Sequence, residues 1–182
     1  MNDDPNARRH LIGLWKKSRK ELTLDIQGTS MRPLIVEGNT ISCVPLSEKN
    51  DIKIGDIVVF EGETTLIAHR IIGAFWHDGQ PWYLEKGDNK FYPTRIPASE
   101  VIGRVRRIYK NDQNGSVIDL RRWYWVTINR CLGCYWKLLF CLLEALQVIK
   151  SRFLGSMPLS FIGRFFRKVV AVAIKLPMRL FR

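Results

Sequence analysis

The chain has 182 residues, room for one domain with its own core and a smaller appendage but not for two full domains. With 46% hydrophobic and 25% charged residues it is a folding chain and not a disordered polar one. The net charge of +12 is uneven: residues 1 to 115 carry 17 Lys+Arg against 15 Asp+Glu, and residues 116 to 182 carry 12 against 2, mixed with Phe, Leu, Ile, Val and Trp, a texture that suits an anionic membrane surface and not nucleic acid.

The N-terminus, Met1 to His10, has no apolar run of signal-peptide length behind it, so no signal peptide is expected and the start of the chain is expected to be cytosolic. Residues 7–22 put Leu11, Leu14, Trp15, Ser18 and Leu22 near helical spacing, which predicts a short amphipathic helix over 1–22. From there to about Tyr109 short β-rich runs are broken by turn residues. Thr40 to Val44, Asp56 to Phe60, Leu66 to Ile72, Trp82 to Glu85 and Val101 to Tyr109 read as strands, and His77-Asp78-Gly79-Gln80 and Lys86-Gly87-Asp88-Asn89 as turns. The expectation is a mainly β, antiparallel domain over 23–110. A helical tail over 116–182 follows it.

Three segments carry the candidate chemistry. Gly28-Thr29-Ser30-Met31-Arg32-Pro33 sets a serine in a turn, Gly55-Asp56-Ile57-Val58-Val59 leads into a strand, and His69 sits in the strand expected to pair with it. A serine hydroxyl needs a neighbouring base to attack a carbonyl, and an imidazole can take that proton and return it to a leaving amine. In order and spacing these segments, with Lys86-Gly87-Asp88-Asn89, resemble the signal peptidase I and SOS-repressor clan (LexA-like fold). They are closest to its histidine-type, endoplasmic-reticulum-like branch. That resemblance covers about residues 24 to 108 and implies a serine endopeptidase working through an acyl-enzyme on an extended peptide or protein precursor. Ser30 would be the nucleophile, His69 the base and Asp88 the residue that orients the imidazole. Gly28, Thr29 and Met31 would border the oxyanion site and substrate groove, with the Ser30 N–H as first oxyanion donor.

Two departures from the pattern stand out. Gly28 replaces a serine frequent two residues before the nucleophile in signal peptidases. Thr94 stands where the histidine branch commonly has a second aspartate, which leaves Asp88 to act alone. A non-enzymatic peptide-binding module on the same fold is the alternative. A self-cleaving repressor is disfavoured, since 29 residues precede Ser30.

His10, His77, Lys53 and Lys86 read as surface residues. No metal site or cofactor is expected. Cys131 and Cys134 have C-x-x-C spacing but only Cys141 nearby, so all four cysteines are expected to be free thiols. From Trp123 to Ile149 the charges Arg130, Lys137 and Glu144 recur every seven residues, predicting one narrow polar stripe shared with Gly133 and Ser151. Each would cost roughly 2.5 to 3.5 kcal/mol at the centre of a bilayer span, so a helix lying in the interface or packed in a bundle is preferred. In the last run Arg164, Lys168, Lys175, Arg179 and Arg182 share one helical face, as in a cationic membrane-surface helix. The protein is expected to be membrane-associated at the cytoplasmic face.

Overall fold

The computed structural model describes residues 5–46, 52–62, 65–113 and 115–153; the expected basic helix between Leu159 and Arg182 lies outside them. Two helices flank one sheet: α1 (Pro5–Ser18), then β1 (Leu22–Asp25), β2 (Thr40–Pro45), β3 (Ile57–Glu61), β4 (Leu66–His77), β5 (Gln80–Lys86), β6 (Thr94–Pro97), β7 (Val101–Tyr109) and β8 (Val117–Asp119), and finally α2 (Trp123–Phe153). All pairings are antiparallel, in the order β1-β2-β7-β3-β4-β5-β6, with β8 on β7. The mainly β, antiparallel expectation is met. The sequence reading missed β1, β6 and β8, each only three or four residues long.

Turn chemistry sets the longest hairpin. Asp78 and Gly79 both have positive φ, 50° and 69°, and His77 pairs with Gln80 across them, as a two-residue Asp-Gly turn favours. The main core lies under β2, β3 and β7, where Ile41, Cys43, Ile57, Val59, Ile102 and Ile108 join Met31, Leu34 and Ile35 from the loop before β2. Gly103 makes room there, since a side chain at this position would meet Cys43 Sγ and the Trp15 ring. Helix α1 therefore docks through Ile12 and Trp15. Leu11 and Leu14, expected on its apolar face, are exposed, because the face chosen is the one that seats Trp15 over Gly103.

Helix α2 packs one face on the sheet: Asn129, Leu132, Gly133, Trp136 and Phe140 are buried. A methyl on Gly133 would lie 2.7 Å from Gly55 N, and one on Gly55 would lie 2.4 Å from Asn129 O. The two glycines thus let the helix backbone touch the turn before β3. Gly133 does not belong to the polar stripe as expected, because this close approach claims it for the buried face. Arg130, Lys137 and Glu144 are exposed. The side of α2 away from the sheet shows Trp123, Leu138 and Leu142 to solvent. Cys131, Cys134 and Cys141 are also exposed and, with buried Cys43, are free thiols. Among the described residues α2 is the one helix long and apolar enough to cross a membrane, over Trp123–Ala145.

Candidate active site

The site forms where the loop before β2 meets β4 and the loop after β5. Ser30 is partly exposed in a run of turns, in which Arg32 N–H donates to Thr29 O and Ile35 N–H to Met31 O. Met31 anchors this run from below. At 3% exposure it is part of the core and not of a groove, whereas Gly28 and Thr29 are at the surface beside Ser30.

The Ser30 loop is tied to the loop after β5. Asn89 N–H donates to Ser30 O at 2.7 Å, and Asn89 Nδ2 donates to Thr29 O at 3.2 Å. Gly87 is required at this junction: a side chain there would stand 2.8 Å from Ser30 O and 3.0 Å from His69 Nε2.

His69, in the middle of β4, is 1% exposed. Its Nε2 lies 3.0 Å from Ser30 Oγ, and its Nδ1 lies 2.5 Å from Glu85 Oε2. An ionised carboxylate can only accept, so opposite one a neutral imidazole carries its proton on Nδ1 and offers Nε2 as acceptor to the serine hydroxyl. Glu85 on β5 is itself buried, and Phe60 packs 5.8 Å from the imidazole, centroid to centroid. The result is a hydroxyl–imidazole–carboxylate chain, shielded from water except at the serine. Such a chain can take a proton from Ser30 and stabilise the imidazolium that forms.

Asp88 is not the partner of His69. Both its oxygens face Arg70, at 2.8 Å from Nε and 2.7 Å from Nη2. The remaining reach of that guanidinium goes through Nη1 to Gly55 O and to Asn129 Oδ1 on α2. Strand alternation explains the division. Arg70 pairs with Lys86 across β4 and β5 and both point toward α2, so His69 takes the opposite face with Glu85. The sequence reading missed Glu85, and its signal is strand parity: it lies an odd number of residues from Lys86, on the side of His69.

Lys86, expected at the surface, is fully buried. Its Nζ donates to Gly87 O and Asp88 O and lies 3.5 Å from the centroid of Trp136. Burial pulls the Lys86 ammonium down to about 8, against the opposing attraction of Asp88. Lys53, His10 and His77 are exposed, as anticipated. Among the described residues no cluster of His, Cys, Asp and Glu is arranged to hold a metal ion.

The site thus sets a serine turn against a strand-borne histidine on an antiparallel β domain. The chain belongs to the Peptidase S24-like family, whose model matches residues 4–106, more than half of its length. No curated protein matches it.

Proposed function

We propose that this chain is a serine endopeptidase of the histidine type within its clan, with Ser30, His69 and Glu85 as its working triad. Ser30 Oγ attacks the scissile carbonyl while its proton passes to His69 Nε2. The tetrahedral oxyanion is met by backbone N–H groups at Thr29 and Ser30. Collapse breaks the C–N bond, His69 returns its proton to the departing amine, and an acyl-serine remains. A water then repeats the sequence on the ester, with His69 again as base.

The observation that carries this reading is the unbroken hydrogen-bond chain from Ser30 Oγ through His69 to Glu85. Thr94, where the histidine-type pattern has an aspartate, is the direct cross-strand neighbour of Glu85. A carboxylate on β5 therefore supplies from the next strand what that pattern supplies from β6. Asp88 then serves to hold Arg70 and the loop that clamps Ser30, a positioning role.

The same reading gives α2 a second task. Its sheet-facing side is committed to Arg70 and Lys86 through Asn129 and Trp136, so it does not leave the domain to span a bilayer. Its outer side, with Trp123, Leu138 and Leu142, rests on the membrane surface. The substrate is an extended peptide or precursor presented near that surface.

Fluorophosphonate labelling of the full-length protein, with the modified residue mapped by mass spectrometry, tests the peptidase assignment. Label on Ser30 that disappears in Ser30→Ala and His69→Ala supports it. A native protein that takes no label and cleaves no member of a peptide library overturns it in favour of a binding module.

A further inference from the structure

Strand β7 changes partners along one edge. Val58 to Phe60 of β3 pair with its residues 101 to 104, and β8 pairs with residues 107 to 109. Between the two, Leu120 N–H donates to Arg106 O, and the strands diverge. The first turns of α2 roof this split. The wedge so formed has a volume of about 360 Å³, within the range of small-molecule sites.

Its lining is strongly cationic. Lys53, Arg104, Arg106, Arg121 and Arg130 converge on it with one carboxylate, Asp56. Arg104 is paired with Asp56 at 3.3 Å, and Arg121 with the flanking Asp119 at 2.6 Å. Among the described residues the side chains of Lys53, Arg106 and Arg130 have no carboxylate partner, while the Lys53 backbone N–H donates to Asp56 Oδ2 at 3.0 Å. Three cations around one cavity, without an ion-pair partner among the described residues, repel one another, and a bound anion relieves that repulsion. Guanidinium groups suit the fork of oxygens on a phosphate better than a monovalent halide. None of its lining residues belongs to the Ser30–His69–Glu85 chain, although Gly55 and Asn129 both accept from Arg70 on the far side of β4.

We infer that the wedge between β3, β8 and the start of α2 binds a phosphate ester, held by Arg106 and Arg130 with Lys53. The ester comes either from an anionic lipid headgroup or from a soluble phosphate. Trp123, 79% exposed and less than two helical turns from Arg130, would lie at the headgroup level if the source is lipid. This inference does not depend on the peptidase assignment.

The test uses the full-length chain, the double variant Arg106→Gln/Arg130→Gln, and a charge-matched control, Lys17→Gln/Lys20→Gln, on the exposed end of α1 and the residues after it. One arm titrates inorganic phosphate and glycerol 3-phosphate calorimetrically. The other measures co-sedimentation with phosphatidylcholine vesicles with and without phosphatidylglycerol. The wedge variant is expected to bind about tenfold more weakly than the control, the loss of charge-assisted contacts. That loss in the soluble arm assigns a soluble phosphate, and the loss on vesicles alone assigns a lipid headgroup. Equal weakening in the two double variants, or no phosphate or phosphatidylglycerol binding by the native protein, overturns the inference. Circular dichroism of the wedge variant is expected to match the native protein, since Arg130 is exposed and Arg106 is partly so.

Discussion

Glu85 reaches across from β5 to place Oε2 2.5 Å from His69 Nδ1, on the opposite side of the imidazole from Ser30. If this carboxylate holds the productive tautomer, Glu85→Gln removes its charge but keeps its shape. Turnover is expected to fall by roughly 100- to 10,000-fold with little change in the Michaelis constant. Thermal stability should move little by comparison. Native turnover in Glu85→Gln would reduce the site to a Ser30–His69 dyad.

Asp88 gives a contrasting prediction. It is the carboxylate of a buried bidentate pair with Arg70, which is 0% exposed, and removal of one partner leaves an uncompensated charge in the interior. Asp88→Ala is expected to destabilise the fold by about 3 to 5 kcal/mol. Chemical denaturation checks this. Unchanged stability with a large fall in turnover would return Asp88 to a direct role at His69.

How far the site could be read from sequence follows from the same two carboxylates. Ser30 and His69 were legible because each sits in a short ordered motif whose spacing survives without any structure. Asp88 was prominent for the same reason, in a turn motif, yet the choice between it and Glu85 depends on which face of β5 each residue takes. That is decided by the Arg70–Lys86 register, and a one-residue slip would reverse it. Register is a property of two strands together, so a reading of either strand alone does not contain it. The docking face of α2 was hidden for a related reason. Apolar residues surround most of the helix, so periodicity gave the helix but not its phase. The phase comes from Gly55 and Gly133, distant in sequence, and from Arg70 seeking Asn129. The sheet was legible as a class because its five longer strands carry β-branched and aromatic runs, whereas β1, β6 and β8 are too short to show alternation.

Lys86 makes stability depend on pH. Burial is the first cause of its lowered value of about 8, and in the unfolded chain a lysine titrates near 10.4. Between these values the unfolded state binds more protons than the native state, so this group adds stability as pH rises from about 8 toward 10.4. Lys86→Met should remove that contribution. The test is the difference between native and variant denaturation curves at several pH values, since Cys43, raised to about 12 by burial, acts in the opposite direction in both proteins. A difference that stays constant from pH 7.5 to 10 would show that Lys86 keeps its proton throughout.

Gly87 tests the clamp on the serine loop. Gly87→Ala sets a methyl 2.8 Å from Ser30 O and 3.0 Å from His69 Nε2, closer than such contacts allow, so the Ser30 loop must move away from β4. Turnover is expected to drop at least about 100-fold, as it does when reacting groups are misplaced by about 1 Å. The Asn89 contacts to Thr29 and Ser30 should weaken with it, seen as faster amide exchange at Asn89. Full activity in Gly87→Ala would mean that the loop adjusts without disturbing the Ser30–His69 pair.

The outer face of α2 is tested by charge. Leu138 is 72% and Leu142 55% exposed, so Leu138→Glu/Leu142→Glu leaves the sheet-facing contacts of Asn129, Leu132 and Trp136 in place, and the fold should survive. At a membrane surface the same two side chains would enter the acyl boundary, each contributing about 1.5 to 3 kcal/mol when fully buried. Two forces then hold the protein there: burial of this face, and attraction of the basic residues to anionic lipid, of which only the second is screened by salt. Native protein is expected to float with anionic vesicles at low salt and to be only partly released by 1 M salt, where the Debye length is about 3 Å. The double variant should float weakly at low salt and not at all at high salt. A truncation that removes residues 116 to 182 is a poorer test, because it also strips β8 from β7 and Trp136 from Lys86, and its loss of binding could reflect unfolding. Flotation of Leu138→Glu/Leu142→Glu equal to the native protein at both salt concentrations would show that this face does not meet lipid, and that some other surface covers it.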